Sequence, residues 1–142
     1  MPKLTSNKPT TWNADQNSVW KSLEYHWELL ITKRVEEFIE YIHPDMIGYG
    51  HESPLPVDRP WLEKWVGFWT QSTDIIICEL RPIDIRIHAD IAIVQYFIFT
   101  IEKSERGVKH VIRRYTMTWK KGKEHWVVIA SHNNLMNDHL HG

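Results

Sequence analysis

Between Asp74 and Asn134 the chain reads as a succession of long strands joined by tight turns, and no other feature narrows the possible folds as far. Strand-forming residues run approximately from Asp74 to His88, Ile91 to Lys103, Lys109 to Trp119 and His125 to His132, with an interruption at Arg81-Pro82. Ala89-Asp90, Glu105-Arg106-Gly107 and Lys120-Lys121-Gly122-Lys123 separate them and carry turn residues. On the first of these strands Ile83, Ile85 and Ile87 make the buried side, which leaves Asp84, Arg86 and His88 on the other.

Helical periodicity precedes the strands. Asn13 and Gln16 stand at capping-box spacing and start a helix. Trp20, Leu23, Trp27, Leu30 and Ile31 then recur at helical intervals, and Val35, Phe38, Ile39 and Ile42 continue the pattern to His43-Pro44. One helix, or two with a break near Thr32-Lys33, fits equally. Pro44 ends the pattern, because the residue before a proline is steered out of the helical region, and a short strand from Met46 to Tyr49 follows. Pro54 and Pro56 mark a loop. Asp58 as cap and Pro60 just inside open a helix through about Thr70, with Trp61, Trp65 and Trp69 beside Leu62 and Val66 in its apolar stripe. Gly67 weakens that helix and is expected to mark a close approach to another element. Helices followed by a meander predict an α+β domain. Residues 1–11 read as a loose polar arm, 12–134 as the domain and 135–142 as a flexible tail.

Composition excludes several functions. A chain of 142 residues with 42% apolar content is one domain able to bury a core. Its formal charge of −1 lacks the basic bias that phosphate neutralisation requires, so no nucleic-acid partner is expected. Cys78 has no second cysteine to pair with and reads as a small buried apolar residue. The first residues lack an apolar signal region, and no run approaches the roughly 18 apolar residues of a membrane span; a soluble, cytoplasmic protein is the expectation. The nine histidines share no ligand spacing, and serine-nucleophile, phosphate-loop and dinucleotide motifs do not occur, so no metal and no cofactor are expected.

Taken in order, the segment His43 to Gly50, then His88-Ala89-Asp90-Ile91-Ala92, Arg114-Tyr115-Thr116, Trp119, Trp126 and Ser131-His132, resemble the nuclear-transport-factor-2-like, or SnoaL-like, superfamily. The resemblance covers about residues 13 to 134 and implies a cystatin-like cone, with N-terminal helices packed on a strongly curved, mostly antiparallel sheet. It also implies a pocket on the concave face closed by the first and third helices. With Ala92 set inward, Val94, Tyr96, Ile98 and Thr100 share the pocket face with Arg113, Tyr115 and Met117, while Ile93, Gln95, Phe97 and Phe99 lie outside. Trp27, Tyr49, Trp65 and Trp69 are the expected aromatic lining, or else core, and His132 and Asn133 close the last strand at the pocket mouth. Because both sheet faces are apolar, a homodimer through the outer face is expected.

The superfamily's branches imply different chemistry. In the ketosteroid isomerase branch a carboxylate follows the first strand; here Gly50 holds that place and His51 comes next. His51 is either a general base, with Tyr96 or Tyr115 polarising a carbonyl and Arg113 or Asn133 orienting the substrate, or a surface histidine in a turn. Arg113 either meets a ligand anion or lies at the rim bonded to Glu102 or Asp138. The arginines of the kinase association-domain branch correspond to Met117 and Ile98, so its anion pocket is not reproduced. The aspartate-arginine-aspartate set of limonene epoxide hydrolase finds Asp84 and Arg86 but no aspartate between Lys109 and Trp119. Three readings follow: a pocket for a small apolar or polycyclic carbonyl compound with cofactor-independent isomerase or cyclase activity; a non-catalytic ligand-binding or homo-oligomerising association module; and a water-activating hydrolase or dehydratase using Glu52 or Asp58.

Overall fold

A computed structural model describes residues 2–50 and 53–136. Asn13 caps α1 (Ala14–Ile31): its side chain accepts from the Gln16 amide, and the Gln16 side chain accepts in return from the Asn13 amide. The apolar pattern then divides. Lys33, with a φ of 63°, turns the chain between α1 and the short α2 (Val35–Glu40), and its ammonium is held by Asp74 at the start of the first long strand.

Strand β2 (Ile42–Tyr49) begins earlier than its apolar residues suggest, with Pro44 in an irregular stretch between the paired residues Ile42 and Ile47. Gly48 pairs with Ser131, and a Cβ at Gly48 would lie 2.2 Å from the Ser131 carbonyl oxygen, so only glycine permits this pairing. After β3 (Val57–Asp58), the Asp58 carboxylate accepts the Trp61 amide at 3.0 Å to cap α3 (Arg59–Ser72). Four long strands complete the described chain: β4 (Asp74–His88), β5 (Ile91–Ser104), β6 (Gly107–Lys121) and β7 (Trp126–Leu135). They form an antiparallel meander, which β2 extends by parallel pairing to β7.

The first residues depart from the expected loose arm. Lys3–Ser6 form a strand, β1, that pairs parallel to β4 and completes the sheet order β1-β4-β5-β6-β7-β2-β3. Two interactions seat it: Leu4 packs on the core, and the Ser6 hydroxyl accepts the Trp20 indole N–H at 2.8 Å. Further along the same edge Gln16 donates to the Ile85 carbonyl, so β1 and α1 together cover part of an edge that would otherwise invite another strand.

The core lies between α1 and the inner sheet face, where Ala92, Val94, Tyr96, Ile98 and Thr100 are buried and Ile93, Gln95 and Phe97 point out, as the alternation along β5 predicts. Register shifts bend the long strands at Ile75/Ile77, Pro82/Asp84 and Thr118/Trp119. The second of these corrects the reading of β4. Ile83 is the extra residue between the paired Pro82 and Asp84 and turns outward, 58% exposed, while Ile85 stays buried and Ile87 packs at the core margin. Among the described residues no helix is long and apolar enough to cross a membrane.

Helix α3 corrects a second expectation. It buries Val66 and Thr70 and packs Leu62 and Trp69 against the core, so Trp61 and Trp65 on the neighbouring stripe are rotated about 100° toward solvent. Trp61 is 45% and Trp65 42% exposed, and the three indoles form a ladder with centroid spacings of 6.1 and 5.7 Å. Nor does Gly67 mark a close approach, since a Cβ there would meet nothing within 4 Å. Gly67→Ala is therefore expected to stabilise the protein by about 0.5–1 kcal/mol through helix propensity alone. The urea midpoint should rise with an unchanged slope; a fall would mean that α3 needs the glycine for a contact not visible in this structure.

Candidate functional site

The inner face holds five of the residues that the sequence assigns to a pocket, and they pack on one another. Trp27, from α1, donates its indole N–H to the Tyr96 hydroxyl at 2.9 Å, and that hydroxyl donates to the Met117 sulfur at 3.4 Å. The Tyr115 ring stacks on Tyr96 at 5.1 Å and meets the edge of Trp27 at 5.7 Å. Val94 is buried in the same cluster. Burial holds the Tyr96 phenol well above its ordinary pKa, with Tyr115 adding to the effect. Tyr115 is raised too, by burial first and by Glu102 and Cys78, against the opposing pull of Arg113. Both phenols are neutral at neutral pH, and the Tyr96 hydroxyl already serves two neighbours.

Beside this cluster sits a charged pair. Arg113 donates to Glu102 Oε2 at 2.9 Å, and the Thr100 hydroxyl donates to the same oxygen at 2.7 Å. The Glu102 side chain is 1% exposed and that of Arg113 24%, so the rim arginine reaches inward to a buried carboxylate. Glu102 Oε1 has no partner among the described residues. Burial, then the Glu102 charge, pushes the nearby Cys78 thiol up to about 12, which makes it a packing group and a poor nucleophile. Glu102 follows Ala92 to Thr100 in the same alternation, so the pattern carried the signal for its inward direction.

Other expected lining residues lie elsewhere. Trp65 stands in the exposed ladder on α3, and Trp69 is packed only in part against the core. Tyr49 and His132 pair across β2 and β7 on the outer face, with ring centroids 6.3 Å apart. The strand phase explains this: Met46 and Gly48 point inward along β2, so Tyr49 points out. Asn133 pairs with Tyr115 and is partly buried. His51, the expected base, lies outside the described residues, as do Glu52 and Asp138. Among the described residues no three His, Cys, Asp or Glu side chains converge as a metal ion would require.

The sequence does not single out His26, which stands 3% exposed in the core between Phe38, 4.5 Å away, and Trp119, 5.6 Å away. Its Nδ1 and the Trp119 indole nitrogen have no hydrogen-bond partner among the described residues. Burial alone lowers its pKa from 6.5 to about 3, so the imidazole is neutral in the folded protein.

Solved structures share this architecture at low sequence identity. A ketosteroid isomerase-like protein from Erwinia carotovora atroseptica superposes with a TM-score of 0.75 at 12% identity, covering 88% of this chain and 98% of its own. A putative calcium/calmodulin-dependent kinase II association domain from Exiguobacterium sibiricum gives 0.73 at 11%, covering 90% and 98%. The kinase II hub homology domain of Chlamydomonas reinhardtii gives 0.71 at 15%, covering 87% and 99%. These likenesses establish the nuclear-transport-factor-2-like, cystatin-like fold. Among curated proteins none matches this chain in sequence. The sequence profile of the calcium/calmodulin dependent protein kinase II association domain matches residues 15–137, all but the two ends of the chain, and the chain belongs to that family.

Proposed function

We propose that this protein is a homo-oligomerising association module whose working surface is the outer face of the sheet, with a second copy of the chain as its occupant. One observation carries the reading. The outer face exposes Ile47, Tyr49, Ile83, Ile93 and Phe97, while the inner face is filled by Trp27, Tyr96, Tyr115 and Met117. Large apolar side chains exposed along one sheet face favour its meeting another surface, and a face that meets its own copy gives a closed two-fold dimer. Membership in an association-domain family and the likeness to a hub domain favour the same occupant.

A small apolar carbonyl compound bound inside the cone, with proton transfer to follow, draws less support. Such a ligand would have to displace Trp27 from Tyr96, and the hydroxyl it needs already bonds to Trp27 and Met117.

Sedimentation velocity at micromolar concentration tests the association reading. The wild type should sediment as a dimer. Ile93→Asp, in the row Ile47, Ala130, Thr118, Ile93, should weaken association by about 100-fold or more, because a charge that must be desolvated replaces an apolar contact there. A monomeric wild type, or an undisturbed dimer in the variant, would remove the outer face as the interface.

A further inference from the structure

The outer face also carries a groove of about 210 Å³ at the centre of the sheet. The strand register builds it from two cross-strand rows. Gln95, Thr116 and His132 stand side by side on β5, β6 and β7, and in the next row Phe97, Arg114 and Asn134 do the same. Outward neighbours across strands lie about 5 Å apart and successive outward residues along a strand about 7 Å apart, so five polar side chains crowd into one small block.

The chemistry of that block is one-sided. A guanidinium, two carboxamides, a hydroxyl and an imidazole can all donate hydrogen bonds, and among the described residues no carboxylate lines the groove. The outward arginines of β4 are neutralised by their own strand: Arg81 by Glu79 at 2.9 Å and Arg86 by Asp84 at 2.8 Å. Arg114 makes no ion pair among the described residues, and the two nearby outer-face acids are thereby engaged. Phe97 and Ile83 provide apolar walls beside it.

We propose that this groove binds a small organic monoanion, with its carboxylate on Arg114 and its apolar body against Phe97 and Ile83. The neighbouring donors, Thr116, His132, Gln95 and Asn134, offer the two further hydrogen bonds that the carboxylate oxygens accept beyond the arginine fork. Ligand pockets usually span about 300–1,000 Å³, so a groove of this size takes a single ring or a short branched chain. The planar fork of arginine matches a carboxylate in two parallel hydrogen bonds, which makes Arg114 the anchor. Where the outer faces associate, which rests on the reading above, Arg114 is withdrawn from water and the bound anion offsets its charge; ligand binding and association then favour each other.

Benzoate is the probe, titrated into the full chain and followed by amide chemical shifts, with sedimentation velocity on the same samples. The wild type should saturate with a Kd on the order of 1–10 mM, as befits so small a ligand, with the largest shifts along β5 to β7 near Arg114. Arg114→Gln should weaken binding at least about tenfold, as should replacing benzoate by neutral benzyl alcohol, while Arg106→Gln in the β5–β6 turn leaves it unchanged. Equal binding of benzoate by Arg114→Gln, equal binding of benzyl alcohol, or no saturation would overturn the site. If benzoate does not bind and Arg114→Gln dissociates the dimer, a carboxylate of the second copy fills the groove, so the ligand site fails and outer-face association stands. If the protein is monomeric and binds benzoate through Arg114, the reverse holds.

Discussion

On moving from pH 7.5 to pH 4, His26 is expected to remove about 3 kcal/mol of stability, and the variant His26→Phe should be spared that loss. The cause is a ring buried among Phe38, Trp27 and Trp119 with its Nδ1 unpartnered among the described residues, where burial would strip an imidazolium of its hydration. Its pKa is about 3 in the fold against 6.5 in the unfolded chain, so between those values the unfolded state binds a proton that the folded state does not. Stability from this group is thus complete above about pH 6.5, declines by roughly 1.4 kcal/mol per pH unit below it, and stops declining near pH 3. Phenylalanine preserves the ring and removes the unpartnered nitrogen, so its effect at pH 7.5 should stay within about 1.5 kcal/mol. Urea unfolding of both proteins from pH 4 to 7.5 provides the check. Titrations common to both cancel in the difference, which should open steadily with acidity. Parallel profiles would show that His26 is not a neutral core residue.

The second large effect concerns Arg113. Arg113→Met should cost about 3–5 kcal/mol, because it leaves the Glu102 carboxylate buried with the Thr100 hydroxyl as its one donor among the described residues. Replacing both partners, Glu102→Leu with Arg113→Met, should recover most of that loss, since exchanging a buried pair for apolar groups of similar size is often neutral. Denaturant midpoints of the two single variants and the double variant give the coupling directly. A loss below about 1 kcal/mol in Arg113→Met would mean that Glu102 finds its compensation elsewhere. The same cycle bears on the interior: a ligand anion at Arg113 would compete with Glu102, and a strong coupling energy argues against that use of the arginine.

Much of the inner architecture is legible in the amino-acid sequence. The capping pair Asn13 and Gln16, the Asp58 cap before Pro60, and the inward set from Ala92 to Thr100 all stand as read, because each depends on local hydrogen bonding or on the two-residue period of a strand. Glu102 continues that period and Arg114, Thr116 and His132 share the opposite phase, so the buried ion pair and the outer groove were present in the pattern as directions without depths.

Local rules ended where packing chose between equivalent faces. Helical spacing groups Trp61, Trp65 and Trp69, but it was the docking of Leu62, Val66 and Thr70 that turned Trp61 and Trp65 toward solvent and left Trp69 partly packed on the core. Alternation groups Ile83 with Ile85, yet the bulge at Pro82 sends Ile83 to the outer face. Lys3–Ser6 carry little strand signal of their own and are ordered by the β4 edge and by Trp20. The sequence by itself determined periods, caps and turns, because these are settled within a few residues of chain. Which face each element buries, which edge is covered, and which polar groups lie without water were decided only by tertiary structure, since they depend on residues far apart in the chain competing for one interior.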